Sequence, residues 1–389
     1  MSIDFKQVIH RDNTNAVKWD AREQLFGRDD VLPMWVADMD FLTVPELKDE
    51  IVKRAQHDIY GYTSYDEELI DSIAQWLKEH HQYPINRNFL SFSPGVIPSL
   101  HALVQAFTDV GDSIVIQPPV YPPFFSVIES HGREIMENPL IYEEGYYKMN
   151  FDQLEDCFKK GAKAFILCSP HNPIGRVWTR EELEQVADLC VKYNVYIFSD
   201  EIHHDIVYSD SNHLVTSQIN DQIAELTFSL MAPSKTFNIA GLQASYVVSP
   251  NEEAKKALDD QLLRQGIMSL NIFGYIAMKT VYKHGQSWLE QLLRQLEENR
   301  NETYRRITQA NTPIKATKPE GTYLMWLDFT ETQLEHEKIK EKLIHEAKVG
   351  LNDGLTFGKQ GEKFMRLNFA TPPSLLDEGI TRILKTFSS

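Results

Sequence analysis

Residues 164–200, AFILCSPHNPIGRVWTREELEQVADLCVKYNVYIFSD, decide the fold class. Ala164 to Cys168 is a short apolar run, and a second run rich in β-branched and aromatic residues follows at 195–199. Runs of this length and composition, bounded by turn or helix signals, are expected to be strands. Between them Thr179 can cap a helix whose first turn carries Glu181 and Glu182 at its positive end. Leu183, Val186, Ala187 and Leu189 give that helix an apolar stripe. Strand, helix, strand in this order is a crossover between parallel neighbours, so the chain is expected to be α/β with a mostly parallel sheet between helices.

Working outward, similar runs at 113–117, 226–230 and 244–248 extend the expected sheet. Beyond about Asn271 the pattern turns helical, with a long helix expected over 287–310. Short strands are expected near Ile314, over 323–329 and over 364–369, so a second, smaller α+β domain is expected. No internal repeat or low-complexity linker separates the parts, which predicts packed domains.

Composition narrows the function. Against 39 basic residues stand 56 acidic ones, a formal charge of -17, which argues against direct nucleic-acid binding and against attraction to an anionic membrane. No stretch is apolar for long enough to span a bilayer, and the first residues, with Asp4, Lys6 and His10, do not read as a secretory signal. Cys157, Cys168 and Cys190 are odd in number and lack metal-like spacing, so they are expected to be small buried hydrophobes in a reducing cytoplasm. His204 and Asp205 lack a third ligand at suitable spacing, so no metal is expected; they read as a second polar layer or a solvated loop.

Three stretches follow predicted strands, where open α/β sheets place ligands: Ser169-Pro170-His171-Asn172-Pro173-Ile174-Gly175, Ser199-Asp200-Glu201-Ile202-His203 and Ala232-Pro233-Ser234-Lys235-Thr236-Phe237-Asn238. Each alone is commonplace. Lys235 offers an amine that desolvation or a neighbouring charge could turn into a nucleophile. Asp200, at the end of a buried strand, suits a fixed negative charge beside a protonated ring nitrogen. Asn172 is a donor presented by the turn that Pro173 and Gly175 set. Ser93-Pro94-Gly95-Val96-Ile97-Pro98 precedes an apolar helix, so Gly95, Val96 and Ile97 are candidate backbone donors to a phosphate. Arg366, between strand-like apolar residues, can grip a carboxylate with two parallel hydrogen bonds.

The order and spacing of these stretches resemble fold-type I pyridoxal-phosphate enzymes, the aspartate-aminotransferase-like class I/II superfamily. Trp35-Val36-Ala37-Asp38-Met39-Asp40-Phe41, Tyr60-Gly61-Tyr62, Lys235-Thr236-Phe237-Asn238 and Gly321-Thr322-Tyr323-Leu324 look like the MalY/PatB branch of cystathionine β-lyases. The resemblance covers essentially the whole chain. It implies pyridoxal 5'-phosphate held by Lys235 as an imine, Asp200 on the pyridine nitrogen, Asn172 on the phenolate oxygen and Tyr121 stacked on the ring. It also implies a substrate-binding role for Arg366. Two positions depart from the pattern. A tyrosine is usual three residues after the acidic one, where this chain has His203, whose imidazole can donate to the same oxygen. The usual hydroxyl three residues before the lysine is replaced by Ala232, so Ser234 is the expected contributor to the phosphate cup.

Further implications are a homodimer with shared active sites, Tyr62 reaching the neighbouring subunit's cofactor phosphate, and three regions. These are an N-terminal segment, 1–47, packing with the small domain; a large cofactor domain, 48–282; and the small domain, 283–389. The implied reaction is β-elimination at the carbon–sulfur bond of cystathionine, cysteine or a related S-substituted amino acid, giving thiol, pyruvate and ammonia. Lys235 would be the general base. An aminotransferase would use the same base, electron sink and carboxylate clamp, so it remains open, as does a regulatory binding protein with secondary lyase activity.

Overall fold

The computed structural model describes residues 3–388. Its central sheet has seven strands in the spatial order Leu90–Ser93, Ser245–Val248, Thr227–Met231, Tyr196–Asp200, Ala164–Cys168, Ser113–Ile116 and Glu134–Glu137. Only Ser245–Val248 runs against its neighbours in that sheet. Ala164–Cys168 and Thr227–Met231 are buried at every residue, as strands covered on both faces must be, and this explains their unbroken apolar runs.

The helix between Ala164–Cys168 and Tyr196–Asp200 spans Arg180–Tyr193. Thr179 and Glu182 form a reciprocal capping box at its start, and Asn194, in the left-handed conformation, ends it. The strand after it begins one residue later than expected and so carries Asp200 as its last residue. The apolar helix expected after Pro98 begins earlier, at Val96, directly after Gly95, and runs to Phe107. Pro98 is tolerated there because a first-turn residue has no intrahelical N–H bond to lose.

The C-terminal part contains the long helix Gln286–Gln309 and a four-stranded antiparallel sheet, in the order Lys315–Thr317, Leu324–Asp328, Phe364–Asn368 and Asn352–Asp353. The N-terminal segment joins this part, since Leu32–Pro33 pairs in parallel with Val349–Gly350. Residues 34–41 then cross to the lysine loop, where the Asn238 side chain accepts from the Met39 N–H and donates to the Met39 and Phe41 carbonyls, each at 2.9 Å. Behind them lies a buried ion-pair cluster. Lys18 Nζ meets Asp40 at 2.6 Å, Trp19 donates to Asp40 at 2.9 Å, and Arg11 bridges Asp38 and Asp40.

Candidate active site

The strand ends and the residue 34–41 crossing enclose a cavity of about 380 Å³. Asn172, Asp200, His203, Ser234, Lys235, Tyr121, Arg366 and the backbone of Gly95, Val96 and Ile97 all line it. Residues spread over more than 270 positions of sequence therefore converge on one site. Asn172 is carried by a turn that needs its glycine: Gly175 has φ +72°, and a Cβ there would lie 2.3 Å from Pro319 Cβ.

Arg366 is a buried cation with neutral partners. It donates to Asn172 Oδ1 at 2.9 Å, to the Trp35 carbonyl at 2.9 Å and to Asn352 Oδ1 at 3.2 Å, while its Nε, also buried, has no partner. Burial lowers its pKa to about 10. A guanidinium held this way is arranged for an incoming carboxylate, because such a partner would supply both the missing charge and the missing acceptor. With Asn172 Oδ1 engaged by Arg366, the Asn172 Nδ2 is left as that side chain's donor.

Lys235 and Asp200 are shifted toward neutrality. Burial, reinforced by Arg366, lowers the lysine to about 8, and its Nζ donates to the Ala37 carbonyl at 2.7 Å. Burial pushes Asp200 up to about 7, and one of its oxygens accepts a single backbone bond, from Ile202 N–H at 3.1 Å. Shifts of this kind cluster where a site takes a chemical partner. The helix Val96–Phe107 points its N-terminus at the cavity, and no side chain caps it at Gly95. Its free first-turn N–H groups and positive dipole end suit a phosphate. Gly95 itself is extended, at φ 177°, so any residue could adopt its backbone.

His203 is buried, with Nδ1 unpartnered, and burial holds its imidazole well below the usual range, so it is neutral. Tyr62 is the one candidate that a single chain does not bring to the cavity; its side chain is fully exposed, as Tyr60 and Ile59 largely are.

The pair His204 and Asp205 is buried and is not a solvated loop. The fold also supplies the third group that sequence spacing lacked: His81, from the helix Glu67–His81, joins them. Asp205 accepts from His81 at 2.7 Å, Trp76 Nε1 at 3.0 Å and the Thr236 hydroxyl at 2.7 Å. His81 and Asp205 are thus joined by a hydrogen bond, and His204 Nε2 lies 3.4 Å from the other Asp205 oxygen. The cluster is a polar layer bracing Thr236, the residue after Lys235.

Residue-by-residue reading missed several wall residues: Trp35, Ala37, Cys168, Asn352 and, through its bond to the Ala37 carbonyl at 2.8 Å, Tyr323. Trp35 and Tyr323 lie within the stretches that carried the family resemblance, which was the available signal. Cys157, Cys168 and Cys190 are all buried and free.

A half-buried lysine facing the cavity, a strand-end carboxylate and an arginine without an acidic partner, set on a mostly parallel sheet, are the architecture of fold-type I enzymes. The chain belongs to the family of class I and II aminotransferases, whose model matches residues 29–383. Within it, the chain is 38% identical to the cystathionine β-lyase PatB of Bacillus subtilis (strain 168), over 99% of this chain and 100% of that one. A pyridoxal-phosphate-bound putative aminotransferase from Clostridium difficile 630 superposes with a TM-score of 0.97 at 42% identity, covering 99% of this chain and 100% of that one. Cystalysin from Treponema denticola, which contains pyridoxal 5'-phosphate, superposes with a TM-score of 0.96 at 35% identity, covering 99% of both chains.

Proposed function

We propose that this chain is a pyridoxal-phosphate-dependent carbon–sulfur lyase that removes a thiol from the β carbon of an S-substituted amino acid such as cystathionine or cysteine. The products are the thiol, pyruvate and ammonia. The observation that carries the reading is a lysine amine, a carboxylate and an acid-free arginine gathered around one cavity.

The residues present fit the cofactor on chemical grounds. Lys235 supplies the amine an aldehyde needs, and the Asp200 carboxyl, raised by burial that the Lys235 charge only partly opposes, would gain a direct partner in a protonated ring nitrogen. The amides of Gly95, Val96 and Ile97, with the hydroxyl of Ser234, suit the phosphate. Asn172 and His203 suit the phenolate oxygen, and Tyr121 the ring face. When bound, pyridoxal phosphate supplies an electron sink conjugated to the substrate's α carbon.

The chain's own groups do the rest. Arg366 fixes the substrate carboxylate and hence the direction of the α C–H bond. Lys235, whose burial favours the neutral amine, takes the α proton as general base. Asp200, ionised once a cation faces it, keeps the ring nitrogen protonated. The electron pair left when Lys235 takes the α proton would expel the thiolate from the β carbon, and one water would be consumed in releasing pyruvate and ammonia.

The same reading divides the chain into a cofactor domain, 48–282, a small domain, 283–389, and an N-terminal segment, 1–47, packing with the latter. Residues Ile59, Tyr60 and Tyr62, exposed by 66%, 54% and 103%, support a homodimer in which Tyr62 completes the neighbouring site. No helix among the described residues is long and apolar enough to cross a membrane, and three free buried cysteines fit a cytoplasmic location.

The test is direct. Purified protein given cystathionine and no keto acid is expected to release pyruvate and a free thiol in equal amounts. Strict dependence on an added 2-oxo acid would reassign it as an aminotransferase.

A further inference from the structure

Arg366 and Asn368 are two residues apart on the strand Phe364–Asn368, so both face the residue 34–41 crossing while Met365 and Leu367 enter the core. The crossing is tied down at both ends by this strand's continuation. Asn368 N–H donates to the Met34 carbonyl at 2.9 Å, and Asp40 N–H donates to the Ala370 carbonyl at 2.9 Å.

Between those ties the carbonyls sort into two sets. Trp35 and Ala37 take donors from the site: Arg366 at 2.9 Å, and Lys235 Nζ at 2.7 Å together with the Tyr323 hydroxyl at 2.8 Å. Val36 and Asp38 turn the other way, and both accept from the Asn368 Nδ2, at 2.6 Å each. The Asn368 Oδ1 accepts from Ala370 N–H at 2.8 Å, which fixes the amide so that its donor faces the crossing. Because Asn368 grips the carbonyls on either side of Ala37, it holds the one between them inward.

We propose that Asn368 is a positioning residue that aims the Ala37 carbonyl at the Lys235 amine, with Tyr323 as the competing donor for that carbonyl. The proposal rests on the reading of Lys235 as the working base. It gives the lysine a defined resting acceptor whenever its amine is free, so the base stays aimed into the cavity instead of rotating away. Part of the control over the base thus comes from a backbone atom that a side-chain inventory does not register.

The two partners of the Ala37 carbonyl must act on the lysine with opposite signs. A carbonyl favours the ammonium form over the neutral amine, so losing its aim makes the amine easier to deprotonate, and removing a rival donor does the reverse. In the full-length, cofactor-free protein, the pH midpoint for acetylation of Lys235 is read by mass spectrometry of the labelled peptide. Asn368→Ala is expected to lower that midpoint by roughly one pH unit, and Tyr323→Phe to raise it by about half a unit. In the holoenzyme, the acid limb of the kcat profile is expected to move in the same two directions.

Midpoints that stay at the parent value, or that move the same way in both variants, overturn the proposal, since a merely structural role gives no opposed pair. If Asn368→Ala does not fold, Tyr323→Phe alone decides: a midpoint that does not rise overturns it. The labelling needs neither cofactor nor substrate, so a protein that fails to bind pyridoxal phosphate refutes the proposed function and leaves this result standing.

Discussion

Asp200, the last residue of its strand, and Asp205, five residues further on, are both buried, yet the fold treats them in opposite ways. Asp205 is surrounded by donors from His81, Trp76 and Thr236, and its pKa is held well below the usual carboxylate range despite the burial that opposes this. Asp200 has one backbone donor on an oxygen, and burial pushes it up to about 7. Burial alone therefore does not mark a functional carboxylate. The mark is burial in which the protein withholds the partners, leaving them for something that binds.

The sharpest way to break this contrast is to remove the amine on the other side of the cavity. Lys235→Ala is expected to lower kcat/KM at least 10³-fold and to abolish borohydride-fixed labelling of the peptide carrying residue 235, while the fold persists. Asp200→Asn comes next, with an expected 10²-fold or greater loss of kcat in steady-state assays.

The same variant has a second consequence in cofactor-free protein. A carboxyl whose folded pKa, about 7, exceeds its unfolded value of about 4 costs stability progressively as pH rises between them. Asp200→Asn is thus expected to stabilise that form at pH 8 by up to ~4 kcal/mol and to leave it unchanged near pH 4, measured by urea unfolding. Unequal benefit at the two pH values is the diagnostic; equal benefit would break the comparison.

Asp205→Asn should behave as a structural change. A depressed pKa contributes stability above about pH 4 that is lost as pH falls further. The variant is expected to lose ~3 kcal/mol of stability at neutral pH, with kcat within about tenfold of the parent. A larger loss of kcat than of stability would move Asp205 into the reaction. The smallest effect is expected at Tyr62, where removing the hydroxyl in Tyr62→Phe should weaken cofactor binding several-fold, read by dialysis and absorbance.

The fold was legible because its parallel strands are buried on both faces and leave unbroken apolar runs, as at Ala164–Cys168, and because a capping box announces the helix from Thr179. The cavity lining was legible where chemistry-bearing side chains stand next to those strands, as Asp200, Asn172 and Lys235 do. It was illegible where the contributor is a backbone atom, as at Ala37, or where partners are remote, as His81 is from Asp205 by 124 residues. Neither leaves a local pattern, since a carbonyl has no residue identity and contact across the sheet has no fixed spacing.

By itself, then, the amino-acid sequence determined the α/β class, the strand-end positions of the reactive groups and the family they resemble, because period, capping and residue chemistry are local properties. Tertiary structure alone decided which buried carboxylate is left short of donors, which carbonyl meets the lysine and which arginine has no acid beside it. Those outcomes depend on how desolvation and hydrogen-bond partners are shared among segments far apart in the chain, and that sharing exists only once the chain is packed.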